Sequence, residues 1–237
     1  MKIESLSFPT AARSLNAYFA RPDDEGPFPG LIVIHEISGL NSNICKITKR
    51  FAEAGYAALG VDLFTGLSPV GRALPVCLAR YFFNQIFHSL DNGGIRDLKA
   101  ALAFLAARPE VDEERLGAAG SGWFLHGRRL RNRLGLHRPK VARYRTFYGY
   151  NPRPLEAVRR SCPVVGAYLA NDRFLTQYSG RRLDKELDQG KVPHDIKIYS
   201  GTKHSFCNDS LTNYDAAACE DSFRRILKFF EQHMRDR

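Results

Sequence analysis

The stretch RLGAAGSGWFLHGRR, residues 115–129, decides how the fold of this chain is interpreted. Its first part, Arg115 to Gly120, is short, mostly small or apolar, and ends in glycine, which is typical of a buried strand that leads into a sharp strand-turn-helix elbow. Such an elbow carries a nucleophile above the carboxyl edge of a parallel sheet. This stretch contains no cysteine and no G-x-S-x-G pattern, so it predicts the elbow without supplying a clear nucleophile.

The residues that follow the elbow are strongly basic. Residues 125–145 hold seven arginines, one lysine and no carboxylate, and no 3.6-residue apolar period marks them as the buried helix that should follow an elbow. They account for eight of the ten net positive charges of the chain. The charge is therefore local, and we expect no distributed nucleic-acid-binding face and no nucleic-acid partner. The desolvation cost of unpaired arginines predicts that 125–145 is extruded from the core or disordered.

Length, cysteine usage and hydropathy limit the class of protein. A chain of 237 residues is long enough for one domain, which we expect to span 1–237 as a monomer or small homo-oligomer. Five cysteines without metal-ligand spacing indicate reduced thiols in a cytoplasmic protein. The sequence shows no apolar signal core and no run of about 18 apolar residues. We therefore expect a protein that is not secreted and has no membrane partner. No metal, nucleotide or phosphate motif occurs, so we expect no metal and no cofactor.

The hydrophobic pattern alternates between buried strands and amphipathic helices. After an edge hairpin in residues 1–20, apolar and β-branched runs predict strands at 30–35, 56–64, 115–120, 162–170 and 195–199. Helical spacing of apolar residues predicts helices over 43–54, 94–108 and 216–233. This order predicts an α/β protein with a mostly parallel, doubly wound sheet and helices on both faces.

Three titratable residues follow the carboxyl ends of predicted strands. Glu36 follows the strand at 30–35, while Asp172 and His204 lie in the loops after the last two strands. Because parallel strands gather functional groups at their carboxyl edge, we expect these side chains to meet near the elbow. The order elbow, Asp172, His204 is the chain order of nucleophile, acid and histidine in α/β-hydrolases. The alternatives are that Asp172 only caps its loop and that His204 is a solvated loop residue.

Motifs around these residues make the chain similar to the dienelactone hydrolases. They occur in order within residues 18–235: HEISGL at 35–40, VDLF at 61–64, FYG at 147–149, Asp172, and HSF at 204–206. The resemblance implies an α/β-hydrolase fold and hydrolysis of a small ester or lactone. It also implies a catalytic cysteine on a GxCxG elbow, with Asp172 and His204 completing the triad and Glu36 controlling the thiol. The backbone N–H of Ile37 would contribute to the oxyanion hole.

The cysteine of that family has no match in this sequence. Alignment on Gly120 puts Gly122 at its position. The first hypothesis is therefore a hydrolase of this kind whose sequence is out of frame through about 122–146. One codon choice for residues 124–129, read one base later, gives Phe-Cys-Met-Gly-Gly, with the cysteine nearest Leu125. Codons for residues 130–134 read in the same frame give a small, apolar helix start. A third interpretation makes Ser121 the nucleophile, although Trp123 crowds a turn that needs small residues.

The chain departs from the family at the substrate site as well. Cys207 and Asn208 follow Phe206 where the resemblance implies an arginine that binds a substrate carboxylate, which argues against dienelactone itself as the substrate. The alternative function is a catalytically inactive α/β-hydrolase-like binding protein whose basic segment contacts an acidic partner. That alternative explains the missing cysteine but leaves Glu36 and the predicted Asp and His without a role.

Overall fold

The structure is a computed structural model that describes residues 1–36, 38–68, 71, 93–121, 143–147, 154–170 and 177–234. Its strands are β1 (Lys2–Pro9), β2 (Ser14–Arg21), β3 (Phe28–Ile34), β4 (Ala57–Val61), β5 (Val111–Ser121), β6 (Arg143–Phe147), β7 (Val164–Leu169) and β8 (His194–Tyr199). Its helices are α1 (Ser42–Glu53), α2 (Gly93–Ala106), α3 (Gln177–Gln189) and α4 (Ala216–Met234), with a 3₁₀-helix at Leu155–Arg160.

The described strands form one eight-stranded sheet in the order β1-β2-β4-β3-β5-β6-β7-β8. β1 and β2 form the predicted edge hairpin, and β2 runs antiparallel to β4. From β4 to β8 every neighbouring pair is parallel. The prediction of a mostly parallel sheet is confirmed, and the carboxyl ends of β3 to β8 lie along one edge. The prediction of a single domain over 1–237 stays a prediction, because several ranges lie outside the described residues.

Helices cover both faces of the sheet, because successive side chains of each central strand point to opposite sides. On β3, Ile32 and Ile34 pack in a cluster with the α2 leucines, and Leu31 and Val33 pack with residues of α1 and α4. The apolar residues at helical spacing in the predicted helices 94–108 and 216–233 face the core. Those that are buried are Leu98, Leu102, Leu105, Phe223, Ile226 and Phe230, and Leu227 is partly buried. None of the helices in the described ranges is long and apolar enough to cross a bilayer.

Local sequence explains where α1 begins and ends. The side chain of Asn41 caps its first turn by accepting a hydrogen bond from the N–H of Ile44 at 3.1 Å. The chain leaves the helix at Gly55, whose φ of +92° lies in the left-handed region that favours glycine. The following residues enter β4 directly, so α1 crosses from β3 to its parallel neighbour as in a βαβ unit.

Three features of the fold differ from the sequence predictions. Arg143–Arg145 were expected to be extruded or disordered, but they belong to β6, which pairs with β5 and β7; residues 125–142 lie outside the described ranges. Strand pairing, which depends on the backbone alone, overrides the high charge there.

Helix α3 was not predicted, since among its described residues only Gly180, Leu183 and Leu187 are buried and its sequence is otherwise polar. β5 starts four residues early because a bulge sets Gly30 against Leu116.

The cysteines also depart from expectation. Cys207 and Cys219 form a disulfide with a Cα–Cα distance of 4.9 Å, so the prediction that the thiols are reduced is wrong for this pair. The two residues are 12 positions apart, and the chain between them folds back from the His204 loop onto the first turn of α4. Widely spaced cysteines gave no sign of this pairing, because only the loop conformation brings them together.

Candidate active site

The site lies at the carboxyl ends of β3 and β5, which are in direct contact. Ile34 and Gly120 are register partners, and a Cβ placed on Gly120 would lie 2.5 Å from the Cβ of Ile34 and 2.7 Å from its carbonyl oxygen. Only glycine permits that approach. Glu36 comes two residues after Ile34, and the backbone of Ser121 ends β5. The segment predicted to carry the nucleophile therefore starts beside the chain that carries Glu36.

The loops after β7 and β8 also begin together. The backbone N–H of Ala170 donates a hydrogen bond to the carbonyl oxygen of Tyr199 at 2.9 Å, which joins the ends of the two strands. The chain that leads to Asp172 therefore leaves the sheet next to the chain that leads to His204. The side chain of Asp172 lies outside the described residues.

Glu36 and the His204 loop meet through Ser205. The hydroxyl of Ser205 donates to Oε2 of Glu36 at 3.5 Å, and both side chains are at least partly withdrawn from solvent. Ser205 has a φ of +62°, a left-handed conformation that is uncommon for a residue other than glycine. Backbone conformations of this kind concentrate at functional sites, where surrounding contacts hold them in place.

The environment of Glu36 makes its carboxyl a weaker acid than usual. Burial raises the pKa of the Glu36 carboxyl above its ordinary value, and the charge of His204 and the hydrogen bond from Ser205 offset this rise only in part. Because Ser205 directly follows His204 and contacts Glu36, the two predicted site residues are close enough to interact electrostatically. A carboxyl with a raised pKa can exchange a proton near neutral pH more readily than an exposed glutamate.

The loop that carries His204 is fixed on both sides while the imidazole itself is exposed. The side-chain amide of Asn213 donates to the carbonyl oxygen of His204 at 3.3 Å. The backbone N–H of Asp215 donates to the carbonyl oxygen of Phe206 at 2.9 Å. The ring of Phe206 is fully buried, with its centroid 5.4 Å from that of Tyr199. The loop thus has a rigid base and presents His204 toward solvent at the strand ends.

A second histidine, His35, organises the other side of the site. It is 2 % exposed, its Nε2 accepts a hydrogen bond from the N–H of Leu63 at 3.0 Å, and its Nδ1 lies 2.5 Å from the carbonyl oxygen of Glu36. Because Nε2 accepts, the proton is assigned to Nδ1, which donates to Glu36. His35 therefore ties the loop after β3 to the turn after β4. Arg13 supports the same turn by donating to the carbonyl oxygens of Leu63 and Thr65 at 2.8 and 2.7 Å.

The structure brings together two of the predicted site residues, Glu36 and His204. Asp172, Ile37, Gly122 and Leu125 lie outside the described residues, and of Ser121 only the backbone is described. Sequence reasoning missed the roles of Ser205 and His35. The sequence indicated only that Ser205 is next to His204 and that His35 is next to Glu36. The contact of the Ser205 hydroxyl with Glu36 and the tautomer of His35 both depend on tertiary geometry.

A metal-ligand arrangement is absent from the described part of this site. Among the described residues, the one group of three or more histidine, cysteine or acidic side chains with suitable spacing consists of Asp184, Asp188 and His194. His194 begins β8, so that group lies at the opposite end of the strand from His204.

The sequence and the fold both match known proteins. Residues 15–234 match the family model described as "Dienelactone hydrolase family". A protein of Escherichia coli strain K12, provisionally named carboxymethylenebutenolidase, is 27 % identical over 96 % of this chain and 86 % of its own. A protein of Saccharolobus solfataricus with the same provisional name is 28 % identical over 97 % of this chain and 98 % of its own.

Solved structures agree on the fold. A Klebsiella pneumoniae protein provisionally described as a dienelactone hydrolase superposes with a TM-score of 0.79 at 24 % identity, covering 98 % of both chains. Together with the strand order and the helices on both faces, this superposition identifies the architecture as the α/β-hydrolase fold.

Proposed function

The chain belongs to the dienelactone hydrolase family, and on that premise we propose that it cleaves a small ester or lactone with a Cys-Asp-His triad whose cysteine is encoded in a shifted frame after Ser121. The observation that carries this proposal is the hydrogen bond from Ser205 to Glu36. It joins the HEISGL and HSF motifs across the end of β5, where the fold requires a nucleophile.

Each step of the proposed reaction uses a group at these strand ends. The thiolate attacks the carbonyl carbon, and the N–H of Ile37 stabilises the oxygen that becomes negative. His204 gives its proton to the leaving alkoxide, which departs as an alcohol or stays attached in an opened lactone. Water then attacks the thioester, His204 takes its proton, and the carboxylic acid and thiol are released. Asp172 orients the imidazole throughout.

Glu36 is proposed to govern the protonation of the thiol. Its carboxyl accepts a hydrogen bond from the residue that follows His204, and burial makes it hold a proton more tightly than an exposed glutamate. A group with that property can accept the thiol proton when substrate binds and return it afterwards. Ser205 would stabilise the ionised form of Glu36 during this exchange through its hydroxyl.

The residues after Phe206 favour a neutral substrate. Cys207 occupies the region where the family resemblance implies an arginine for a substrate carboxylate, and this cysteine is bonded to Cys219. A disulfide sulfur offers no positive charge to an anionic ligand. We therefore propose an uncharged ester or lactone and not a carboxylate-bearing dienelactone.

The test compares the chain as printed with a frame-restored chain. The coding DNA of residues 115–150 should hold one single-base change on each side of the basic segment, and correcting both should restore Cys-Met-Gly-Gly near position 125. The corrected protein should hydrolyse p-nitrophenyl acetate, and iodoacetamide or His204→Ala should lower kcat/KM by about 10³ or more. The chain as printed should show only background turnover.

Two results would contradict the proposal. One is a verified DNA read in which no alternative frame holds a cysteine codon overlapping Phe124–His126. The other is a frame-restored protein that is folded but has no iodoacetamide-sensitive esterase activity. Either result would favour the catalytically inactive binding protein, whose basic segment 125–145 would then be tested against acidic partners.

A further inference from the structure

A histidine and two aspartates form a compact cluster far from the candidate active site. Nε2 of His194 lies 3.2 Å from Oδ1 of Asp184 and 3.7 Å from Oδ1 of Asp188, and all three ligand atoms lie within 4.8 Å of one another. Asp184 and Asp188 are one helical turn apart on α3, and His194 is the first residue of β8. The cluster therefore spans the junction between a helix and the strand that follows it.

The histidine is held so that Nε2 faces the two carboxylates. Its Nδ1 lies 2.6 Å from the carbonyl oxygen of Val192, a distance at which the Nδ1–H donates to that carbonyl. Histidines that bind metals usually donate their other N–H in this way, because the bond fixes both the tautomer and the ring orientation. In the tautomer that carries its proton on Nδ1, the lone pair of Nε2 faces the two carboxylate oxygens, which is the arrangement that a bound cation needs.

The helix end that carries the aspartates is poorly suited to negative charge. Asp184 and Asp188 lie in the carboxyl-terminal half of α3, where the helix dipole is negative, and the last turn contains no basic residue. Like charges at this spacing also repel each other. Glu186 on the same turn is paired with Arg159 at 2.7 Å, but among the described residues no lysine or arginine forms an ion pair with either aspartate.

The backbone that links the three residues is rigid. Leaving α3, the N–H of Val192 donates to the carbonyl oxygen of Leu187 at 3.0 Å, and Lys191 takes a φ of +50°. Gly190 packs so closely that a Cβ there would lie 2.5 Å from the Cα of Arg159. A ligand at this junction therefore meets a preformed backbone, on which His194 is mostly buried and the two aspartate side chains are largely exposed.

We propose that Asp184, Asp188 and His194 bind one divalent transition-metal ion of the Zn²⁺ type. One imidazole nitrogen and two carboxylate oxygens are ligands that Zn²⁺ accepts at bond lengths of about 2.0–2.2 Å, which place neighbouring ligand atoms roughly 3.4 Å apart in a tetrahedron. The distances of 3.2 and 3.7 Å lie on either side of that value. Mg²⁺ and Ca²⁺ bind weakly in comparison, since both require more oxygen ligands than the cluster provides.

A metal ion here would fasten the end of α3 to the start of β8. It would not touch the candidate active site, which lies at the other end of β8, so the proposal is independent of the proposed hydrolase activity. Its effect should be seen as added stability, because an ion that binds only the folded chain raises the free energy of unfolding.

The experiment titrates ZnCl₂ into the full chain, made without a polyhistidine tag and stripped with EDTA, using calorimetry and thermal unfolding. Wild type should bind one equivalent of Zn²⁺, and His194→Gln and Asp188→Asn should each weaken the affinity by at least about tenfold. Zn²⁺ should raise the Tm of wild type but not of the variants. MgCl₂ at the same concentration should have no effect. Co²⁺ substitution should give visible d–d absorption in wild type that is lost in His194→Gln.

Two control variants separate this site from general surface binding. Glu53→Gln removes an exposed carboxylate from the last turn of α1, and His233→Gln removes a histidine from the last turn of α4. Both should bind Zn²⁺ as wild type does. The proposal is overturned if His194→Gln and wild type bind Zn²⁺ with equal affinity and stoichiometry, or if the stripped wild type binds none. The latter result would leave the cluster with no metal-binding role.

Discussion

The hydroxyl of Ser205 lies 3.5 Å from the carboxylate of Glu36, although 169 positions separate the two residues. The contact joins the loop after the last strand of the sheet to the loop after β3. It depends on a left-handed backbone at Ser205 and on a carboxyl withdrawn from solvent at Glu36. Both features are costly in isolation, and each gives a measurable consequence for stability.

Replacing Glu36 with glutamine should stabilise the protein at neutral pH. Because burial raises the pKa of the carboxyl, the folded state binds this proton more tightly than the unfolded state, and the resulting stability is lost as pH rises from 4.5 through the folded-state pKa. Glu36→Gln should therefore raise the free energy of unfolding by about 1–3 kcal/mol at pH 7. Below pH 4.5 the gain should vanish. Urea unfolding across this pH range measures the difference.

The matched control for that experiment is Glu113→Gln, which removes an exposed carboxylate. It should change the free energy of unfolding by less than about 0.5 kcal/mol, with no trend in pH. If Glu36→Gln lowers the free energy of unfolding at pH 7, the folded protein stabilises the ionised carboxyl of Glu36 more than the neutral one. That result would show that burial does not control the pKa of Glu36.

Substitutions at Ser205 should reverse the usual ranking of alanine and glycine. A left-handed backbone destabilises an alanine by about 1–2 kcal/mol relative to glycine, and both substitutions lose the same hydroxyl. Ser205→Gly should therefore be more stable than Ser205→Ala by about 1 kcal/mol in chemical denaturation. At Ser222, which lies inside α4, the same pair should rank in the ordinary way with alanine more stable. Equal ranking at the two positions would contradict a left-handed Ser205.

Gly120→Ala should be strongly destabilising, because its Cβ would lie 2.5 Å from the Cβ of Ile34 and the neighbouring backbone cannot move freely within a paired sheet. We expect a loss of about 1–3 kcal/mol or more, seen as a lower Tm. Gly55→Ala is the comparison, since its Cβ meets nothing within 4 Å and only the positive φ is penalised. It should cost about 1 kcal/mol. A Gly120→Ala protein as stable as wild type would show that β3 and β5 do not approach in this register.

The Cys207–Cys219 disulfide should contribute to stability. It closes a loop over a separation of 12 residues, for which about 2–3 kcal/mol is typical. Unfolding in urea with and without dithiothreitol should differ by that amount, and the double variant Cys207→Ser, Cys219→Ser should match the reduced wild type and not respond to reductant. Alkylation followed by peptide mass spectrometry under native conditions should leave both cysteines unmodified; rapid alkylation of both would disprove the bond.

The sequence predicted most of the framework because hydrophobic periodicity is a local property. The runs at 30–35 and 162–170 became β3 and β7, both buried, and the closing helix extends from Ala216 to Met234 as its apolar spacing required. Helix α3 escaped notice because its core contacts rest on a few apolar residues in a polar sequence. Strand β6 was misjudged because its basic residues suggested solvent exposure, whereas strand pairing satisfies backbone groups whatever the side chains are.

By itself, the sequence determined the α/β framework and placed Glu36 and His204 after strand ends, since motif order and hydrophobic period are written along the chain. The tertiary structure alone decided which partners those residues meet. Ser205 reaches Glu36 only when β8 closes the sheet, His35 accepts the N–H of Leu63 only across two parallel strands, and Cys207 meets Cys219 only when its loop folds back. Such contacts depend on the direction of side chains in space, which no local pattern of residue types encodes.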